Sequence, residues 1–197
     1  MQSNTTTKTV SSTKLKVLVL AALFAALTFV GTFYIKMPAG KGYIHPGDGF
    51  VLLSGIFLGP LWGGLAAGFG SMLSDLVGGY IIYVPATFVI KALVAAIAAG
   101  LTSLIEKLMK SKKNVVPVIV SGVAGEAFMI IGYFIFEAFE NALAASGGFN
   151  SKTLAAGIAA SATGIPANIV QGVAGVAIAA VLYPILRPIL NRFNQNL

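Results

Sequence analysis

Apolar residues run through this chain in long blocks, separated by short clusters of glycine, proline and charged side chains. A helix needs about 20 mainly apolar residues to cross a bilayer. The first block runs from Leu15 to about Ile35 and stops at Lys36-Met37-Pro38. Ala39 to Gly47 is rich in glycine and reads as a loop. Two shorter blocks follow, Phe50 to Leu58 and Leu61 to Val77, divided by Gly59-Pro60. Proline there predicts a turn or break, and short helices survive in a membrane when neighbouring protein shields their backbone. After a turn at Gly78 to Pro85, a fourth span covers Ala86 to Ile105. A basic loop, Glu106 to Asn114, leads to a fifth span from Val115 to about Phe139. Asn141 to Thr153 is a polar loop, and a long sixth span, Leu154 to Leu186, carries Pro166 and Pro184.

The pattern therefore predicts an all-α integral membrane bundle of about six transmembrane helices, the second and third of them short. Residues 15–192 form one membrane domain, and residues 1–14, polar and rich in Ser and Thr, a cytoplasmic tail. Lys and Arg set the orientation. Lys8, Lys14 and Lys16, then Lys107, Lys110, Lys112 and Lys113, then Arg187 and Arg192 fall on one side if the number of spans is even. The positive-inside rule makes that side cytoplasmic and puts both termini there, in a multi-pass protein of the plasma membrane. Lys36, Lys41 and Lys152 lie towards the outer face.

Composition narrows the solvent. Hydrophobic residues make up 57% and charged residues 10%, against about 25% charged in a soluble domain. So few charges cannot coat a water-facing surface. The net charge of +7 sits at the ends of apolar blocks, which suits membrane orientation and not nucleic acid. No cysteine is present and only one histidine, His45, so we expect no metal site and no cofactor. The chain has no G-x-x-x-x-G-K-[ST] phosphate loop and no H-E-x-x-H motif. It is not expected to be an enzyme or to hydrolyse nucleotide itself.

Ionisable groups within a span each cost about 2.5–3.5 kcal/mol on insertion scales and need a partner or a role. Three polar stripes stand out at helical spacing: Tyr83, Thr87 and Lys91; Glu126, Tyr133 and Glu137; and Ser161, Asn168 and Gln171. One account is a Lys91–Glu137 ion pair that only holds helices together. The other is a ligand pocket of polar groups among aromatics. The outer loop adds Tyr43, His45 and Asp48; Asp48 suits a helix cap, and the loop also suits a lid over the pocket. Asp75 reads as helix-end solvation or a polar link more than as a site residue. Small residues four apart, Gly59/Gly63, Gly64/Gly68, Ala21/Ala25 and Ala22/Ala26, let backbones approach closely. They serve packing inside the bundle or, for the alanines, docking of a partner membrane subunit.

The segment YIHPGDGFVLLSGIFLGPLWGGLAAGFGSMLSDLVGGY from Tyr43, followed by Pro85 and FVIKAL from Phe88 to Leu93, resembles the substrate-binding S components of bacterial energy-coupling factor (ECF) vitamin transporters. The resemblance extends from about Lys14 to Arg192. It implies a high-affinity binding subunit for a small water-soluble vitamin. The ligand site would face outward, built from the first outer loop and the last three helices. It also implies partners, a transmembrane coupling subunit docked on Ala21, Ala22, Ala25 and Ala26 and two cytoplasmic ATPase subunits. The loop containing Gly47-Asp48 looks most like the branch for pyridoxine or hydroxymethylpyrimidine; riboflavin or thiamine are alternatives. From another class, a self-sufficient transporter using Glu126 and Glu137 as proton sites stays open, although no inverted repeat is visible.

Overall fold

The computed structural model describes residues 12–39, 42–110 and 114–195, with the side chains of 12–13, 39, 42–43 and 191–195 left out. Helix α1 spans Ser12–Phe33, starting one turn before the predicted Leu15. The predicted loop after it contains a small antiparallel hairpin, β1 (Met37–Ala39) and β2 (Gly42–Ile44), with Met37 opposite Ile44. Helix α2 follows at Gly47–Gly78, then a single 3-10 turn at Ile81–Tyr83 and α3 at Val84–Met109. Helix α4 is Val116–Ala144, α5 Ser151–Ala162 and α6 Ile165–Gln195.

Helix α2 is two limbs. Gly59 has φ 80° and ψ 177°, a conformation that an L side chain rarely adopts, and Pro60 removes a backbone donor just beyond it. The limbs double back on each other. Ser54 Oγ donates to Gly63 O at 3.0 Å, and a Cβ at Gly63 would lie 2.4 Å from Ser54 O. The break predicted at Gly59-Pro60 is thus where the chain reverses. The first limb, residues 47–58, reaches only about 18 Å at 1.5 Å per residue. Val51, Leu52, Leu53 and Ser54 within it are wholly buried, so protein and not lipid surrounds its backbone. Gly64 and Gly68 face α3, where an added Cβ would meet Ala92 O at 3.0 Å and Phe88 O at 2.9 Å. For these glycines the packing role holds.

The predicted sixth span is not continuous. It breaks at Thr163-Gly164 into α5 and α6, because Pro166 lacks an N–H and its ring collides with the carbonyl four residues back. Two turn hydrogen bonds close the junction, Thr163 N–H to Ala160 O at 3.2 Å and Gly164 N–H to Ser161 O at 3.0 Å. At its start α5 is held by a capping box, in which Asn150 Oδ1 accepts from Lys152 N and Thr153 N.

Among the described residues, five helices are long and apolar enough to cross a membrane: α1, α2 counted whole, α3 with the turn before it, α4 and α6. Their outer faces present Leu18, Leu23, Val123, Ile131, Val173 and Val181 to the surroundings. So apolar an exterior suits lipid and not water. The core, by contrast, mixes Leu52, Leu53, Val94 and Met129 with buried Asp48, Lys91, Glu126 and Gln171.

Candidate functional site

The Gly47-Asp48-Gly49 sequence places the first charge. A Cβ at Gly47 would sit 2.1 Å from Thr32 Oγ1, and one at Gly49 would sit 2.4 Å from Ile178 Cγ2. Lacking both, the start of α2 slides between α1 and α6 and carries Asp48 to full burial. Asp48 makes no cap; the residue before α2 is Pro46, with no side-chain cap bond. Instead Asp48 Oδ1 accepts from Lys91 Nζ at 2.5 Å and Asp48 Oδ2 accepts from Gln171 Nε2 at 2.7 Å. Three helices, α2, α3 and α6, are tied by one carboxylate.

The ion pair that the sequence suggested between Lys91 and Glu137 is therefore made with Asp48. Lys91 lies 1% exposed, with Met129 Sδ at 3.0 Å and the Tyr133 ring centroid 5.5 Å from its ammonium. Glu126 packs beside this group: a Cβ at Gly175 would be 2.8 Å from Asp48 Cβ and 3.4 Å from Glu126 Oε1. Neither Glu126 oxygen meets a donor among the described residues.

Above the network opens a cavity of about 110 Å³. His45, Tyr83, Thr87, Lys91, Tyr133, Glu137 and Asn168 all line it. Tyr133 OH donates to Thr87 Oγ1 at 3.1 Å, joining α4 to α3. Two further predicted residues stand behind the wall: Asp48, and Ser161, whose Oγ donates to Gly157 O at 2.9 Å and lies 3.4 Å from Asn141 Nδ2. The break in the sixth span puts Ser161 on α5 and Asn168 and Gln171 on α6, so the expected single stripe is shared between two helices. Tyr43 pairs with Pro38 in the hairpin, and its side chain lies outside the described residues.

Sequence reasoning missed part of the wall. Thr32, Ser71, Asp75, Tyr80 and Asn141 also line the cavity, so Asp75 belongs to it and is not only helix-end solvation. Its signal was present as Ser71 and Asp75, one turn apart on a limb of small residues. His45 is buried, and its Nδ1 accepts from Gly47 N–H at 3.2 Å. Burial lowers its pKa from 6.5 to about 4, against the pull of Asp48. It is neutral at neutral pH.

The alanine face of α1 divides. Ala21 is buried, and Ala25 packs on the bundle, its carbonyl 2.4 Å from where a Gly70 Cβ would stand. Ala22 and Ala26 are exposed. Ala22 and Ala26 thus lie on the outer side of α1, and Ala21 and Ala25 on the side turned to the bundle.

Among the described residues, no group of three or more His, Asp or Glu side chains is placed to hold a metal ion. The arrangement is a pocket rimmed by hydroxyls, amides and aromatic rings, which is equipment for binding.

Known proteins bear on this geometry. Residues 12–188 match the model of the family described as ECF-type riboflavin transporter, S component. A solved structure of the S component of a bacterial ECF transporter aligns with TM-score 0.61 over 90% of this chain and 98% of that one, at 21% identity, a likeness of fold. A Pyrococcus woesei protein, described as an uncharacterized protein in gap 3'region, is 33% identical over 99 residues. Those residues are 50% of this chain and 62% of that protein, so the chain spans less than two thirds of that relative's length. The resemblance read from Tyr43 to Leu93 is borne out. This chain belongs to the ECF-type riboflavin transporter S component family.

Proposed function

We propose that the chain captures a small water-soluble vitamin or vitamin precursor from outside the cell, in the cavity between α3, α4 and α6. One observation carries this reading: three polar stripes, spaced far apart in sequence, supply Thr87, Lys91, Tyr133, Glu137 and Asn168 to one cavity. Pyridoxine or hydroxymethylpyrimidine is the leading ligand, on the likeness of the Gly47-Asp48 loop to that branch. Riboflavin is the second reading, favoured by the name of the family that residues 12–188 match.

In this reading the two limbs of α2 run in opposite directions through the bundle, the short first one shielded by protein, which gives about six passes and places both termini in the cytoplasm. The exposed Ala22 and Ala26 receive a transmembrane coupling subunit, and two cytoplasmic ATPases supply the energy. Native mass spectrometry of molecules that copurify with the chain, followed by calorimetry with pyridoxine, hydroxymethylpyrimidine and riboflavin, tests the ligand. A single-ring vitamin or precursor should bind most tightly; tighter riboflavin binding selects the second reading. Proton-driven uptake by the chain reconstituted alone would defeat the ECF role.

A further inference from the structure

We propose that a second cavity seats the headgroup of a membrane phospholipid bearing a primary amine. Arg187 meets the phosphate and Glu106 the ammonium. The site lies at the opposite end of the bundle from the first cavity and is independent of what binds there.

This second cavity measures about 190 Å³ and is lined by α1, the reversal of α2, α3 and α6. Thr102 of its wall lies about 22 Å along α3 from Thr87 of the first cavity, at 1.5 Å per residue. This end carries Lys107, Lys110 and Arg187, so the proposed orientation sets it at the cytoplasmic leaflet. Leu20, Ile56 and Leu190 give the cavity apolar walls, while Thr102, Glu106 and Arg187 bring polar groups. Close by in sequence, Leu104 and Leu108 of α3 and Ile185 and Ile189 of α6 are exposed. Hydrocarbon therefore borders the cavity, and the amphiphile at hand is lipid.

The two charges share one aromatic ring. Tyr183 OH donates to Glu106 Oε1 at 2.9 Å, and Arg187 Cζ lies 5.6 Å from the centroid of the Tyr183 ring. Phe57 stacks on that ring at 5.4 Å, and Phe24 on Phe57 at 6.2 Å, so packing fixes the spacer. Among the described residues Glu106 and Arg187 form no ion pair with each other. The guanidinium keeps edge N–H donors, whose fork matches two phosphate oxygens.

Glu106 decides the rest of the ligand. A carboxylate in the wall repels a headgroup of net negative charge and favours one that brings its own cation. Thr102 adds an acceptor. Ser121 Oγ donates to Val118 O at 3.2 Å, so in the 2.6 Å contact between the two hydroxyls Thr102 is the donor, and its oxygen accepts. A primary ammonium brings N–H donors to such acceptors; a quaternary one brings none.

Native mass spectrometry of the full chain in detergent micelles tests the site, with dioleoyl phosphatidylethanolamine, phosphatidylcholine and phosphatidylglycerol titrated separately. One phosphatidylethanolamine should bind about tenfold tighter than either other lipid. Glu106→Gln keeps an acceptor for Tyr183 and should abolish the preference over phosphatidylglycerol. Arg187→Gln should weaken all three about fivefold or more. Ser103→Trp, at an exposed position on the wall, should displace the lipid, and it decides if Arg187→Gln fails to fold. Equal binding of the three lipids overturns the inference, as does a preference that survives Glu106→Gln or Ser103→Trp. Water-soluble phosphoethanolamine should bind about a hundredfold weaker than the lipid, for want of acyl chains. Equal affinity would make this a site for a free phosphoamine and overturn the lipid assignment. A chain that selects no lipid, yet loses a copurifying coupling subunit in Ser103→Trp, would also overturn it and give the cavity to a protein partner.

Discussion

Lys91 in α3 and Asp48 at the start of α2 form an ion pair of 2.5 Å, with side-chain exposures of 1% and 0%. Gln171 of α6 completes it from the opposite side of the carboxylate. A pair so enclosed has little else to shield it, so each charge depends on the other.

Removing one partner should therefore cost far more than removing both. Lys91→Met leaves a buried carboxylate without its cation, a loss of about 3–5 kcal/mol. Asp48→Asn combined with Lys91→Met should recover most of it. Thermal unfolding of the singles and the double in detergent forms the double-mutant cycle; additive losses would show that the pair is not coupled. The Lys91→Met protein should also lose ligand affinity, because the cavity floor loses its anchor. Unchanged affinity would remove Lys91 from the site.

The contact between α2 and α3 gives a sharper contrast. A Cβ at Gly55 would fall 2.0 Å from Ala95 O, whereas one at Gly100 meets nothing within 4 Å. Gly55→Ala should separate the helices and cost several kcal/mol, on the order of an overpacked core. Gly100→Ala should stabilise by about 0.5–1 kcal/mol through reduced backbone entropy. Similar unfolding temperatures for the two variants would contradict this packing.

His45 makes stability depend on pH. Its folded pKa of about 4 lies below the unfolded value of 6.5, so in that window the unfolded chain holds more protons. Stability then rises with pH from about 4 to 6.5, and falls on acidification as the unfolded chain takes the proton first. Protonation would also cost the acceptor that Gly47 N–H uses. His45→Asn keeps an acceptor without titrating, and its unfolding temperature should vary less with pH across this window. Parallel pH profiles for wild type and variant would place the titration elsewhere.

The division of the α1 alanines predicts separable defects. Ala22→Trp and Ala26→Trp, on the exposed side, should block copurification with a coupling subunit and leave vitamin affinity within about twofold. Ala21→Trp, on the buried side, should lower folding yield before any assembly. Loss of vitamin affinity in Ala22→Trp would mean that this face is coupled to the cavity.

Much was legible in the chain because a lipid solvent leaves few choices. Long apolar blocks, and the proline and glycine that interrupt them, expose the spans and the reversal at Gly59-Pro60 through local backbone chemistry alone. Helical spacing likewise put Tyr83, Thr87 and Lys91 on one face, and Tyr133 with Glu137 on another, before any helix had a neighbour. Pro166 was visible, but whether it bends a helix or ends it depends on how the flanking turns are held, and here Thr163-Gly164 ends it.

What spacing could not supply was partnership across helices. The sequence offered Lys91 only Glu137 as a partner; its pairing with Asp48 follows from Gly47 and Gly49 admitting α2 between α1 and α6. Asp75 joined the cavity, and Ala21 and Ala25 turned inward, for the same reason. Periodicity along one helix states which residues share a face, but only the packed bundle decides what that face meets, since contacts between helices are set by shape in three dimensions and carry no mark in the order of the residues.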